Sequence, residues 1–263
     1  MRIASLQPSI TLTLHALDRL DCLCAHTKYC VDALPELPER GLPVLQDSWT
    51  ADTAQIVSTS PTLVVASVPY RMESLAAILK ASIPVLALAP MNLAGVFADI
   101  RLLARLTDAV AEGDAIVKEF EAALQDARHQ TVGLARPRVY CEEWGKPLIH
   151  SQTWVAELVD AAGGEFVGAP GSHTNPETVL AADPDVLVFA WCGAGDRVPL
   201  QRVVEQRGWQ ELRAVRERRV FCVPDECLNT PAHTLMQGLA CLAACLHPAQ
   251  FERPQRLVKL GGY

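Results

Sequence analysis

No stretch of this 263-residue sequence approaches the roughly 20 consecutive apolar residues that a helical membrane span requires. A secretory leader needs about 7–15 apolar residues before its cleavage site. In the opening MRIASLQPSIT, Ser5, Gln7 and Pro8 break any such run. A cytoplasmic location is therefore expected, or a periplasmic one if the N-terminus has been trimmed. Basic charge is also short: 23 Lys and Arg stand against 30 Asp and Glu, a net charge of −7. That balance argues against a nucleic-acid surface, which needs a basic face. Glycine loops for phosphate are missing too. There is no GxxxxGK(S/T), and no GxGxxG follows the first strand. GGEFVG (163–168) follows a helical stretch and reads as its C-terminal cap.

Cysteine, by contrast, is plentiful. There are nine, an odd count, and most lie in apolar runs. This pattern fits thiols in a reducing compartment rather than a disulfide framework, and it also supports a cytoplasmic chain. The densest group is DCLCAHTKYC (21–30). A strand over 22–25 places Cys22 and Cys24 on one face and Leu23 on the other. Tetrahedral zinc sites use the wider C-x(2–4)-C spacing of a turn. Cys22 and Cys24 are therefore read as small buried hydrophobes, with His26 and Cys30 in the following loop. Cys241 and Cys245, four apart on the last helix, are read as core. No metal ligand is expected among these thiols.

Short apolar runs mark seven strands: RIASL (2–6), CLCA (22–25), TLVVAS (62–67), PVLALA (84–89), RVYCE (138–142), DVLVFA (185–190) and RVFCV (219–223). Helical stretches lie between them, which predicts an α/β fold with parallel sheets covered on both faces. DTAQIVSTSPTLVVAS (52–67) aligns without gaps on NPETVLAADPDVLVFAW (175–191), with Pro61 on Pro184 and Ile56 on Val179. Each unit is a short helix, a proline turn and a buried strand, which reads as an internal duplication. Between the halves, 109–132 carries apolar residues at three-and-four spacing and no proline. About 20 helical residues span ~30 Å. The expected organisation is a lobe over 1–108, a stiff backbone helix over 109–132 and a second lobe over 133–263.

SLQPSIT resembles the opening SLxPSxTE of class III solute-binding proteins, the cobalamin- and siderophore-binding group. SPTLVVAS and DPDVLVFA look like that family's KPDLV strands. EEWGKPLIHSQTWVAELVDAAGG and VFCVPDECLNTPAHTLMQGLACLAACLHP are similar to its second-lobe signatures. The likeness is strongest to the cobalamin-binding branch. It implies two Rossmann-like lobes joined by one long helix, the helical-backbone metal receptor type, with ligand held between the lobes. It also implies binding without chemistry: a corrinoid such as cobalamin or cobinamide, or a similar metal chelate, as ligand, and no intrinsic cofactor.

Only five tryptophans are present, and Trp49, Trp144, Trp154 and Trp191 lie near strand ends or helix starts. In parallel α/β sheets ligands sit outside the carboxyl ends of strands. Indole rings there offer flat apolar area suited to a macrocycle, and Tyr70 is placed to join them. The plainer reading packs each ring between loop and sheet. Trp209 is read as structural, at the start of an amphipathic helix. Polar candidates in the same loops are Ser9 and Thr11, Glu142 and Glu143, His150, Asp225, Asn229 and His233. N–H groups at the PSIT turn would accept an anionic substituent, although Ser9 also reads as a helix cap. His150 and His233 are each either a cobalt ligand or an ordinary surface or cap histidine.

Transport members of the resembled family dock on a permease through one acid per lobe, early in the helix before the PDLV strand. Glu177 holds that position in the second repeat, whereas the aligned residue of the first is Ala54. Leu12 replaces the glutamate of the opening motif, and Thr230 and Thr234 replace basic groups of the closing one. These departures weaken the expectation of an ABC permease partner and favour a cytosolic carrier or sensor. The alternatives are a periplasmic importer receptor for B12, an iron-siderophore or haem, and an enzyme built on Cys141 with Glu142, Glu143 and a distant histidine.

Overall fold

The structure, a computed structural model, describes residues 1–261. It divides into two compact units, residues 1–119 with 231–233, and residues 120–230 with the remainder from 234.

The first unit contains β1 (Ile3–Ser5), α1 (Pro8–Ala16), β2 (Leu23–Thr27), α2 (Lys28–Ala33), β3 (Val44–Leu45), α3 (Thr53–Ser58), β4 (Leu63–Ser67), α4 (Met72–Lys80), β5 (Val85–Leu88) and α5 (Leu93–Leu106). The helix α6 (Val110–Gln130) begins in it. All five strands are parallel, in the order β3-β2-β1-β4-β5. Alternate side chains of β1 and β4 feed opposite layers. Ile3 and Val65 join Ile10, Leu14 and Leu103 on one face, while Ala4 and Val64 join Ile56 and Ile78 on the other. Gly113 of α6 lies so close to α5 that an added Cβ would stand 2.4 Å from that of Ala104.

The second unit continues from α6 with β6 (Arg138–Gly145), β7 (Leu148–His150), α7 (Thr153–Ala161), β8 (Glu165–Phe166), β9 (His173–Thr174), α8 (Pro176–Ala182) and β10 (Val186–Phe189). It ends with α9 (Leu200–Gln206), α10 (Arg213–Arg216), β11 (Val220–Cys222), α11 (Asp225–Leu228), α12 (Leu235–Leu246) and β12 (Val258–Lys259). Its sheet runs β12-β11-β10-β6-β7-β9, with β8 also paired to β6. The expectation of parallel sheets needs correction here. β8, β6, β10 and β11 are parallel, but β7, β9 and β12 run antiparallel to their neighbours. The cause is the length of β6, which runs on to Gly145 and doubles back as β7, so His150 ends a strand rather than occupying a loop.

The duplication is visible in detail. Parallel strands β2-β1-β4-β5 correspond to β8-β6-β10-β11, and α3 and α8 precede equivalent strands. Ser60 and Asp183, aligned and each before a proline, both hold left-handed backbone (φ 50° and 39°). Arg2 and Arg138 also match. Their guanidinium groups donate to the carbonyls of Thr59 and Ala182, and their backbone N–H groups to the side chains of Thr62 and Asp185.

Several expectations about cysteine change. Cys22 is half-buried in a single 3₁₀ turn, so it does not share a strand face with Cys24, which is buried in β2. His26 is buried inside β2, and Cys30 lies in α2, not in a loop. Its thiol meets the hydroxyls of Thr11 and Thr27 at 3.2 and 3.3 Å. Cys241 and Cys245 are core residues of α12. All nine thiols are unpaired, and among the described residues no group of three metal-ligating side chains converges. Trp209 is core, as expected, but follows α9 instead of starting a helix; its indole N–H donates to Pro176 O at 3.1 Å.

Candidate functional site

In the first unit the loops after β1, β3 and β4 are tied at the carboxyl edge of the sheet by one polar network. Gln7 Nε2 donates to Ser48 Oγ (2.6 Å) and to Pro69 O (3.0 Å), and Ser48 Oγ donates to Pro69 O (2.9 Å). This network supports Trp49, which is 53% exposed and has the Arg71 guanidinium 5.8 Å from its ring centroid. Tyr70 is half-buried against the core below. Met72, the first residue of α4, and Met91, in the loop after β5, are also exposed. Ser9 is not a cap. Gln7 holds the cap position of α1, and Ser9 lies inside the first turn, buried, its carbonyl accepting from Thr13 Oγ1.

His233 falls elsewhere in the first unit. It is within electrostatic reach of His15, in the last turn of α1, whereas the loops just described gather at that helix's first turn. Burial first, and His15 second, lower its pKa, which favours the neutral ring.

In the second unit the carboxyl ends of β6 and β10 carry the cluster. Glu142, fully buried, takes four hydrogen bonds. Arg207 Nη1 and Nη2 donate at 2.7 and 2.9 Å, Trp191 Nε1 donates at 2.8 Å, and the Tyr140 hydroxyl completes the set. Tyr140 O–H is pushed well above its ordinary pKa by burial and by the Glu142 charge. The Arg207 guanidinium in turn lies over the rings of Phe189, Trp191 and Trp209. Trp191, just beyond β10, remains half-buried, and Gly145 approaches it so closely that an added Cβ would fall 2.4 Å from Cζ2.

Glu143 accepts from Gln152 Nε2 at 2.7 Å, and burial raises its pKa to about 7. Trp144 is 44% exposed, with its indole N–H bonded to Lys146 O. Asp225, at the start of α11, accepts from the backbone N–H groups of Gly193 and Gly195, both at 2.8 Å, and so shapes the turn after Trp191. Asn229 donates to Ala190 O and has no partner for Oδ1.

Two candidates belong to the core instead. Trp154 is 4% exposed and donates its indole N–H to Leu228 O at 2.8 Å. His150 is equally buried, edge-on to Tyr140 at 5.2 Å and pressed by Gly168, and burial lowers its pKa. A ring shut inside the sheet's packing is not a surface metal ligand. Glu177 is exposed in the first turn of α8, and Ala54 is exposed at the aligned position of α3.

Residues 3–227 match the family described as periplasmic binding protein. The chain belongs to that family. Among its relatives are an uncharacterized ABC transporter substrate-binding lipoprotein of Bacillus subtilis and a cobalamin-binding protein of Halobacterium salinarum. The first is 22% identical over 95% of this chain and 81% of its own length. The second is 25% identical over 94% of this chain and 69% of its own. Its fold is also that of a periplasmic heme binding protein from Pseudomonas aeruginosa, with a TM-score of 0.87 at 17% identity over 98% of this chain and 97% of the other. The two α/β units and long α6 thus follow the architecture that the family resemblance implied.

Within this binding protein, Arg207 was not among the sequence candidates. One signal did point toward it: Glu142 directly follows the apolar run Val139–Cys141, and a carboxylate buried with that run demands a cation or several donors. The sequence did not show which cation, since 65 positions separate the two.

Proposed function

We propose that this protein is a non-catalytic receptor for a corrinoid, cobalamin or cobinamide, or for a similar flat metal-chelate macrocycle. The observation that carries the reading is the placement of tryptophan. Trp49 in the first unit, and Trp144 and Trp191 in the second, are exposed or half-exposed in segments at the carboxyl ends of strands. Fold rules of α/β sheets put ligands there, and indoles offer them a broad apolar face. The names of two similar proteins, a cobalamin-binding protein and a heme binding protein, support a tetrapyrrole-like ligand. Cys141, the thiol nearest to a nucleophile in an enzyme reading, is fully buried, and burial raises its pKa far from reactivity.

The nine unpaired thiols and the exposed Ala54 support a carrier or sensor in a reducing compartment. A second reading, a receptor serving an ABC importer, draws on exposed Glu177 and on the Bacillus relative. Titration with cyanocobalamin, dicyanocobinamide and haemin, followed by visible absorption and tryptophan quenching, tests the ligand class. Saturable binding of cobinamide is the expected result, and no binding of any of the three refutes the proposal. Cell fractionation separates the carrier from the importer receptor.

A further inference from the structure

Burying an ion pair brings little net stability, because desolvation offsets the attraction, and an apolar replacement of equal volume is often as stable. The Glu142–Arg207 pair is nevertheless built with care. Four donors meet the two carboxylate oxygens, and Arg207 Nη2 also reaches Gly145 O at 3.4 Å. Its geometry converges on one half-exposed ring. Glu142 Oε1 holds the indole N–H of Trp191, Arg207 lies 5.9 Å from that ring's centroid, and Phe189 meets it edge-on. Gly145 leaves room for the ring and nothing more.

We infer that Glu142 and Arg207 are positioning residues, whose pairing fixes the Trp191 indole in the orientation that meets the ligand. This rests on the receptor reading above. Without the bidentate fork, Glu142 keeps only the Tyr140 hydroxyl and the Trp191 N–H as donors, its orientation is held less tightly, and the guanidinium no longer lies against the indole. Rotation about two side-chain torsions then displaces the flat surface on which a macrocycle would stack. Lysine in place of Arg207 keeps the charge but cannot reproduce the planar fork.

The test is a double-mutant cycle between Arg207→Lys and Trp191→Phe, with Glu142→Gln as a second probe of the pair and circular dichroism as the check on folding. Dicyanocobinamide affinity is expected to fall about tenfold in Arg207→Lys, and the same substitution to have no further effect in the Trp191→Phe background. Equal, additive losses in both backgrounds, or unchanged affinity with only a lowered Tm, would overturn the inference. Acrylamide quenching of the Trp191 contribution, obtained by subtracting Trp191→Phe, reads ring position without any ligand. Raised quenching in Arg207→Lys and Glu142→Gln supports positioning even if the wild-type protein binds none of the macrocycles. That outcome would refute the receptor reading alone. Quenching unchanged in both variants refutes the positioning role.

Discussion

Asp52 and Asn175 cap the same helix in the two repeats. Asp52 Oδ1 accepts from the N–H groups of Ala54 and Gln55 at 2.9 and 3.4 Å, and Asn175 Oδ1 accepts from that of Thr178 at 2.8 Å. Each satisfies an orphan donor of a helix only six or seven residues long, which leans on its cap more than a long helix does. Alanine at either position is expected to cost about 1 kcal/mol. In urea unfolding each variant shifts the transition that reports its own unit, and a variant without a shift would sink the capping account.

Gly145→Ala isolates a purely steric constraint. An added methyl group would stand 2.4 Å from Trp191 Cζ2, in a place where the ring is held on its other sides by Glu142, Arg207 and Phe189. Because nothing flexible is there to yield, overpacking is expected to destabilise by about 1–3 kcal/mol. Near-ultraviolet circular dichroism would change with it. A variant as stable as wild type with an unaltered aromatic spectrum would show that the ring has more freedom than its contacts imply.

Much of this architecture was legible because it is written in local patterns. The repeat was readable from the proline register, and both caps stand where DTAQ and NPET begin. The long helix was readable from spacing and from the absence of proline. Burial of individual rings was not legible. Trp144 and Trp154 both lie near the end of β6 in sequence, yet one is 44% exposed and the other 4%. The difference arises from the β6–β7 reversal, which carries Trp144 outward and returns the chain so that α7 packs Trp154 inward. Strands of two or three residues such as β9 and β12 carry too little sequence to show a period, and they exist because longer neighbours offer them an edge. The cation that neutralises Glu142 lies far along the chain, beyond the reach of any local rule.

These two tryptophans therefore make opposite predictions. Trp154→Phe removes a buried N–H donor and leaves Leu228 O without its partner, at an expected cost of roughly 1–3 kcal/mol. Its affinity for dicyanocobinamide stays within about twofold of wild type. Trp144→Ala changes stability by no more than about 0.5 kcal/mol, as exposed positions do. It lowers that affinity by about 3- to 10-fold, the loss expected for an aromatic stacking contact of roughly 0.5–1.5 kcal/mol. If instead Trp154 governs affinity and Trp144 only stability, the placement of the ligand at the exposed indoles is wrong.

Half-buried carboxyls give the protein a particular response to pH. Burial raises Glu143 from an ordinary 4.5 to about 7, and Asp99 of α5 from 3.8 to about 6. Across those windows the folded chain keeps protons that the unfolded chain releases, so the unfolding free energy falls as pH rises. The contribution of Glu143 is complete below about 4.5 and is lost as pH rises through about 7. His150 and His233 act in the opposite sense. Their lowered pKa values favour the folded state above the ordinary value of 6.5, and that benefit is lost as pH falls. Urea unfolding at several pH values between about 4.5 and 8 separates the groups. Glu143→Gln is expected to flatten the decline that ends near 7, Asp99→Asn only the part that ends near 6, and neither to alter the histidine limb. A decline that survives both substitutions would mean that other groups carry it.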